Sequence, residues 1–168
     1  MKTTHHHPAS LVLQTLLAML IVMHATVVSV HAQRVYRGSS PYSSDVLCHV
    51  DEGKVYKGLD SYTSSIIARF DGTYLYSGNS SYMSDVILSW RDGNIYRGRS
   101  SYRSDVLANW HDGKLYSGTS SYQSDLLFTY RDNKVYHKGE PYQSSILLTT
   151  SAPVHPIILY MLLNTTIQ

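Results

Sequence analysis

The stretch SYRSDVLANWHDGKLYSG, residues 101–118, decides how this chain is read. Val106, Ala108 and Trp110 alternate with Leu107 and Asn109, a period of two that argues for a strand with one apolar face. Asp112-Gly113 follows, and this pair suits a tight reversal because glycine accepts the positive φ that hairpin turns demand. Leu115-Tyr116 begins a returning strand and Gly118 ends it. The unit is a β-hairpin, and a polar Ser/Tyr/Ser/Asp segment connects it to the next.

The same unit recurs along most of the chain. Tyr36, Tyr56, Tyr76, Tyr96, Tyr116 and Tyr136 fall 20 residues apart without drift, and Tyr42, Tyr62, Tyr82, Tyr102, Tyr122 and Tyr142 follow six places behind them. Such spacing means one supersecondary unit copied in series, each burying its apolar side against its neighbours. The turn pairs are Glu52-Gly53, Asp71-Gly72, Asp92-Gly93, Asp112-Gly113 and Asp132-Asn133. The second comes one residue early, so that hairpin is expected to carry a bulge or a different loop. The outgoing strands set Val46/Cys48/Val50 and their equivalents on one side, which is read as the core side. Tyr36 and its equivalents are expected to pack between hairpins, and Tyr42 and its equivalents to pin the connectors.

The repeat is entered and left halfway. Residues 35–37 are a returning strand with no partner before it, and 145–150 an outgoing strand with no return. Paired, these two halves make a sixth hairpin and remove both exposed sheet edges. The fold expected is all-β: six hairpin repeats of about twenty residues closed into a shallow ring or barrel. An open hairpin solenoid is the alternative, and the differing end copies (Pro41, Pro141, Ser145) keep it in play.

The unit DG-x-[IVL]-Y-x-G-x-S-x-Y-x-S-[DS]-[VIL]-[LI], repeated over residues 35–150, resembles the β-flower proteins, radially symmetric assemblies of short hairpin petals. The relatives known by petal number are four-fold and five-fold; six units here depart from that. The resemblance implies a fold and carries over no catalytic residue.

The ends of the chain are of different character. Lys2 and three histidines precede an apolar run over 11–30, closed by Val30-His31-Ala32. That is the layout of a secretory signal, residues 1–32, with cleavage after Ala32 and a repeat domain over 33–150. The expected location is secreted or periplasmic; an uncleaved N-terminal membrane anchor is the alternative. The tail, 151–168, leaves the repeat: Pro153 and Pro156 break any strand, and Ile157 to Leu163 is wholly apolar. Seven residues do not span a bilayer, so the tail would plug the ring, dock on it, pair with a neighbour or insert shallowly into lipid.

Composition excludes several functions. Net charge is +2 with both signs interspersed, and there is no basic stripe for nucleic acid. A single cysteine, Cys48, rules out an internal disulfide and a cysteine-cluster zinc site, and it sits in an otherwise apolar column. No Gly-x-Ser-x-Gly elbow and no phosphate-cradling loop occur, and His49, His111 and His137 lie in different columns. No catalytic residue, metal or cofactor is assigned. Two columns could bind ligands. Phe70, Trp90, Trp110 and Tyr130 would be a stacking platform for sugars if exposed and core if inward. Asp45, Asp85, Asp105 and Asp125 would form a circle of carboxylates for a cation, or hold turns by bonding nearby amides. The function expected is a secreted, non-enzymatic binding or scaffolding module for an envelope or extracellular component, with glycan as the ligand. The runner-up is a membrane-surface module using residues 157–163 with Arg37, Lys57 and Arg97; a hydrolase is the weaker alternative.

Overall fold

A computed structural model describes residues 32–140 and 142–166; the leader expected over 1–32 falls outside this range except for Ala32. Twelve strands form one closed antiparallel barrel. They are β1 (Gln33–Arg37), β2 (Val46–Asp51), β3 (Lys54–Lys57), β4 (Ile66–Phe70), β5 (Tyr74–Ser77) and β6 (Val86–Arg91). The series continues with β7 (Asn94–Arg97), β8 (Val106–His111), β9 (Lys114–Ser117), β10 (Leu126–Arg131), β11 (Lys134–His137) and β12 (Ile146–Thr150). Each strand pairs with its neighbours in sequence, and β1 pairs with β12 through Val35↔Thr150, Tyr36↔Thr149 and Arg37↔Leu148. The two half-units at the chain ends therefore complete the sixth hairpin, and the barrel has no sheet edge.

Four turns have the same backbone. Glu52-Gly53, Asp92-Gly93, Asp112-Gly113 and Asp132-Asn133 all have positive φ at both residues, the geometry that matches the right-handed twist of the flanking strands. The hairpin with the early Asp-Gly is built differently. Its three-residue loop is held by the Asp71 carboxylate, which accepts from the Thr73 and Tyr74 amides at 2.9 and 2.7 Å and from the Tyr76 hydroxyl at 2.9 Å.

One residue per strand makes the inner ring: Val35, Cys48, Val55, Ala68, Leu75, Leu88, Ile95, Ala108, Leu115, Phe128, Val135 and Leu148, none more than 9% exposed. They meet as opposed pairs, for example Val35↔Cys48 and Leu115↔Phe128. Burial pushes the Cys48 thiol up to about 12, so it behaves as a small apolar side chain. The even alternation expected of the outgoing strands does not hold. The register shifts between Val35 and Tyr36, which oppose Cys48 and Val46, so Leu47 is an extra residue. Directly opposed residues share a face; Val46 therefore stands beside Tyr36 outside, while Leu47, Leu107 and Leu147 pack on the core. The same shift recurs at every junction between a returning strand and the following outgoing one.

The tail enters the barrel. Pro156–Thr166 is a helix, α1. Proline suits its first turn, where an amide hydrogen has no partner, and His155 Nδ1 accepts from the Ile157 amide at 3.3 Å. Ile157, Ile158, Leu159, Met161 and Leu162 are all buried in the same core as the inner ring. Successive helical residues point about 100° apart, so this set, completed by the half-buried Tyr160 and Leu163 that pack on the same core, covers the whole circumference of α1. A helix buried on every side has protein all round it: α1 fills the lumen. Among the described residues no helix is long and apolar enough to cross a membrane.

Candidate functional site

At the hairpin-turn end of the barrel, the column Val50, Phe70, Trp90, Trp110, Tyr130, Thr150 surrounds the start of α1. The four aromatic members are half-buried and pack against the core. The His155 ring sits against Phe70 at 4.5 Å and against Trp90 at 4.6 Å between centroids. The Tyr130 hydroxyl bonds Thr150 Oγ1 at 2.8 Å and accepts from the Val154 amide at 3.2 Å. Much of the surface these rings could offer a ligand is thus turned to the protein's own tail. One sector stays open, where small Val50 and Gly53 leave a cleft of ≈ 400 Å³ bordered by Phe70 and His155. Desolvation lowers the His155 pKa to about 4, so the ring is neutral at physiological pH.

The aspartate column lies on the connectors. Asp85, Asp105 and Asp125 each accept at 2.5 Å from the serine five residues earlier, Ser80, Ser100 and Ser120. In the second unit the two residue types exchange places, with Asp60 and Ser65; in the sixth, Ser145 donates to the Glu140 carbonyl and Glu140 replaces the serine. Each connector carries one acid and one hydroxyl, and in the three units with bonded Asp85, Asp105 and Asp125 they act as a turn-holding pair; Asp45 lies in the first connector, where Ser40 Oγ has no partner. Among the described residues, no three His, Cys, Asp or Glu side chains gather as a metal site.

Behind the connectors, three members of one column of strand residues tie them down. Asn109 donates to the Gly118 and Ser120 carbonyls at 2.9 and 2.7 Å, Thr149 to the Gly38 carbonyl at 2.7 Å, and His49 Nδ1 lies 3.0 Å from the Gly58 carbonyl. The tyrosines of the returning strands pack beneath: Tyr36, Tyr76, Tyr116 and Tyr136 are buried, and the Tyr56 ring stacks on His49.

The connector tyrosines do the opposite of what the sequence suggests. Tyr42, Tyr62, Tyr82, Tyr102, Tyr122 and Tyr142 are between 66% and 75% exposed. They pin nothing; what fixes the connectors is a short 3-10 turn after each tyrosine, closed by bonds such as Asp105 N–H to the Tyr102 carbonyl at 3.0 Å. The barrel therefore displays six aromatic rings, one per connector, on backbone that is locally fixed. Their regular spacing was visible in the sequence, but their outward direction was not.

No curated protein and no solved structure matches this chain. A family model does: residues 35–160 match that of the 6-fold beta flower proteins. The match takes in all six hairpin units and the first half of α1, and the closed ring of six petals is the architecture that description names. The chain belongs to the 6-fold beta flower family.

Proposed function

We propose that this protein is a secreted, non-enzymatic binding module that engages a repetitive extracellular or envelope polymer, a glycan, through its six connector tyrosines. The observation that carries this reading is their exposure, 66–75% in every unit. Tyrosine offers a large, stiff, amphipathic contact at low entropic cost, and its flat face suits the C–H face of a sugar. Six such contacts on one rigid frame raise avidity against a repeating ligand well beyond that of one contact. Secretion is part of the proposal: with cleavage after Ala32 the mature chain starts at Gln33, the first residue of β1.

Two measurements test it. Mass spectrometry of the protein recovered from the medium or periplasm should find Gln33 at the N-terminus. A polysaccharide array should give hits that weaken stepwise as Tyr62, Tyr102 and Tyr142 are changed to Ser singly and together, with thermal stability held. A blank array, or hits untouched by the triple change, removes the tyrosine reading.

A further inference from the structure

We propose that the connector end of the barrel lumen is a binding site for an anionic amphiphile: one aliphatic chain of medium length bearing a carboxylate or phosphate head. The site uses residues other than the connector tyrosines and stands or falls apart from them.

The pairing of the strands places a second ring inside the barrel, next to the apolar one. Arg37 opposes Leu148, Lys57 opposes Cys48, Arg97 opposes Leu88, and His137 opposes Phe128. Opposed residues share a face, so these side chains leave the backbone on the lumen side. Ser77 and Ser117 complete the ring opposite Ala68 and Ala108. All six are exposed at the barrel mouth. Among the described residues the ion pairs are His111–Asp112 and Arg131–Asp132, at the hairpin-turn end. The mouth therefore holds the charges of Arg37, Lys57 and Arg97 with no carboxylate paired to them.

The C-terminal half of α1 reaches this mouth. Burial raises the pKa of Tyr160, while the Asn164 amide and the nearby charge of Arg97 oppose the rise. The carbonyl end of a helix carries about half a negative charge. Of the connector carboxylates at this end, Asp85, Asp105 and Asp125 are each engaged by a serine hydroxyl, and the ion pairs of the described residues join none of the connector acids to Arg37, Lys57 or Arg97.

Beside α1 the mouth deepens into a cavity of ≈ 280 Å³ walled by Leu127, Phe128, Leu147 and Leu163, with His137 and Lys138 on its lip. Here the repeat breaks. Where five units have glycine at positive φ (Gly38, Gly58, Gly78, Gly98, Gly118), the sixth has Lys138 at φ +48. A side chain in that conformation costs free energy that glycine avoids. The fold's own preference at this position is glycine, and the departure occurs only in the unit that lines the cavity. Strain kept at a cavity lip points to a task for the ammonium group. An apolar pocket with a few convergent polar groups is the usual form of a small-molecule site. The chain of the ligand takes the leucine-walled cavity, and its head meets Lys138 and the basic ring.

The test is calorimetric titration of the purified full chain with monomeric decanoate, decyl phosphate, decyltrimethylammonium and inorganic phosphate, and sedimentation with anionic lipid vesicles. The two anionic amphiphiles should bind one to one, with the cationic amphiphile and free phosphate at least about tenfold weaker. Lys138→Gly restores the residue of the other units and should fold at least as well while losing roughly tenfold in decanoate affinity. Leu147→Trp should fill the cavity and abolish binding of the chain. Equal binding of both amphiphile charges, or a Lys138→Gly variant that binds as tightly as the parent, overturns the proposal. So does partition onto vesicles with no binding of monomeric decanoate, which would assign the mouth to a membrane surface.

Discussion

Glycine and its neighbours decide the hairpins residue by residue. Gly53 has φ +76, and a Cβ there would collide with the carbonyl oxygen of Phe70 on the adjacent strand. Gly113 shows the milder version, 3.0 Å from the Tyr130 carbonyl. Gly53→Ala should therefore lower stability by more than about 1 kcal/mol, since it adds both backbone strain and a contact with immovable main chain. Urea denaturation midpoints of this variant and of Gly113→Ala check it, with the Gly53 change the larger. Asp71 solves the same turn problem with a carboxylate in place of backbone freedom. Partial burial raises its pKa, but the Tyr74 and Thr73 amides and the Tyr76 hydroxyl bond its charged form and bring it below 3.8. These local devices were legible in the sequence, because Gly, Asn and Asp at fixed offsets have few other uses. The outward turn of Tyr42 and its equivalents was not. A tyrosine's apolar ring and polar tip suit a covered and an open site equally, so spacing alone fixes its periodicity and not its direction.

Among elements, α1 and the outgoing strands separate what a pattern can tell from what it cannot. Val46 and Leu47 are both apolar, so alternation could not show which of them is the extra residue; the bulge is set by the 3-10 turn before it and by bonds such as Gly58 N–H to the Leu47 carbonyl at 2.9 Å. Residues 157–163 gave no period at all, because a helix surrounded on every side has no polar face to reveal one. The start of α1 makes a pH prediction. His155 has a value near 4, below the ordinary imidazole value of 6.5, because it is desolvated against Phe70 and Trp90. The unfolded chain takes up a proton that the folded one refuses, so stability is complete above 6.5, falls toward pH 4 and levels off below. Asp71 loses its contribution only below 3.8, outside that window. Denaturation midpoints should drop between pH 7 and pH 4.5, and His155→Gln should flatten most of that drop. An unchanged slope would mean that α1 does not hold His155 as described.

Over the whole molecule, closure by β1 and β12 is the feature that organises the rest. It was legible because a repeat array entered and left halfway has complementary halves to offer, here residues 35–37 and 145–150. Closure predicts that amide hydrogens on the β1–β12 seam, such as that of Ser151 to the Arg34 carbonyl at 2.9 Å, exchange as slowly as those of inner hairpins. Exchange mass spectrometry checks this, and a seam that exchanges at the rate of frayed termini would mean an open ring. The candidate sites were legible only in part. The sequence supplied the aromatic, acidic and basic columns, but which column ends up under the tail, on a connector or in the lumen depends on the bulge and on α1. Closure also bears on how the protein is made. Synthesis delivers β1 before every other strand and β12 after them, so the earliest strand waits with an unsatisfied border until the twelfth has been made. No intermediate length of nascent chain can complete the circle or stopper it, and the transit from ribosome to finished barrel is the interval in which this protein is most exposed to mispairing with a sister copy.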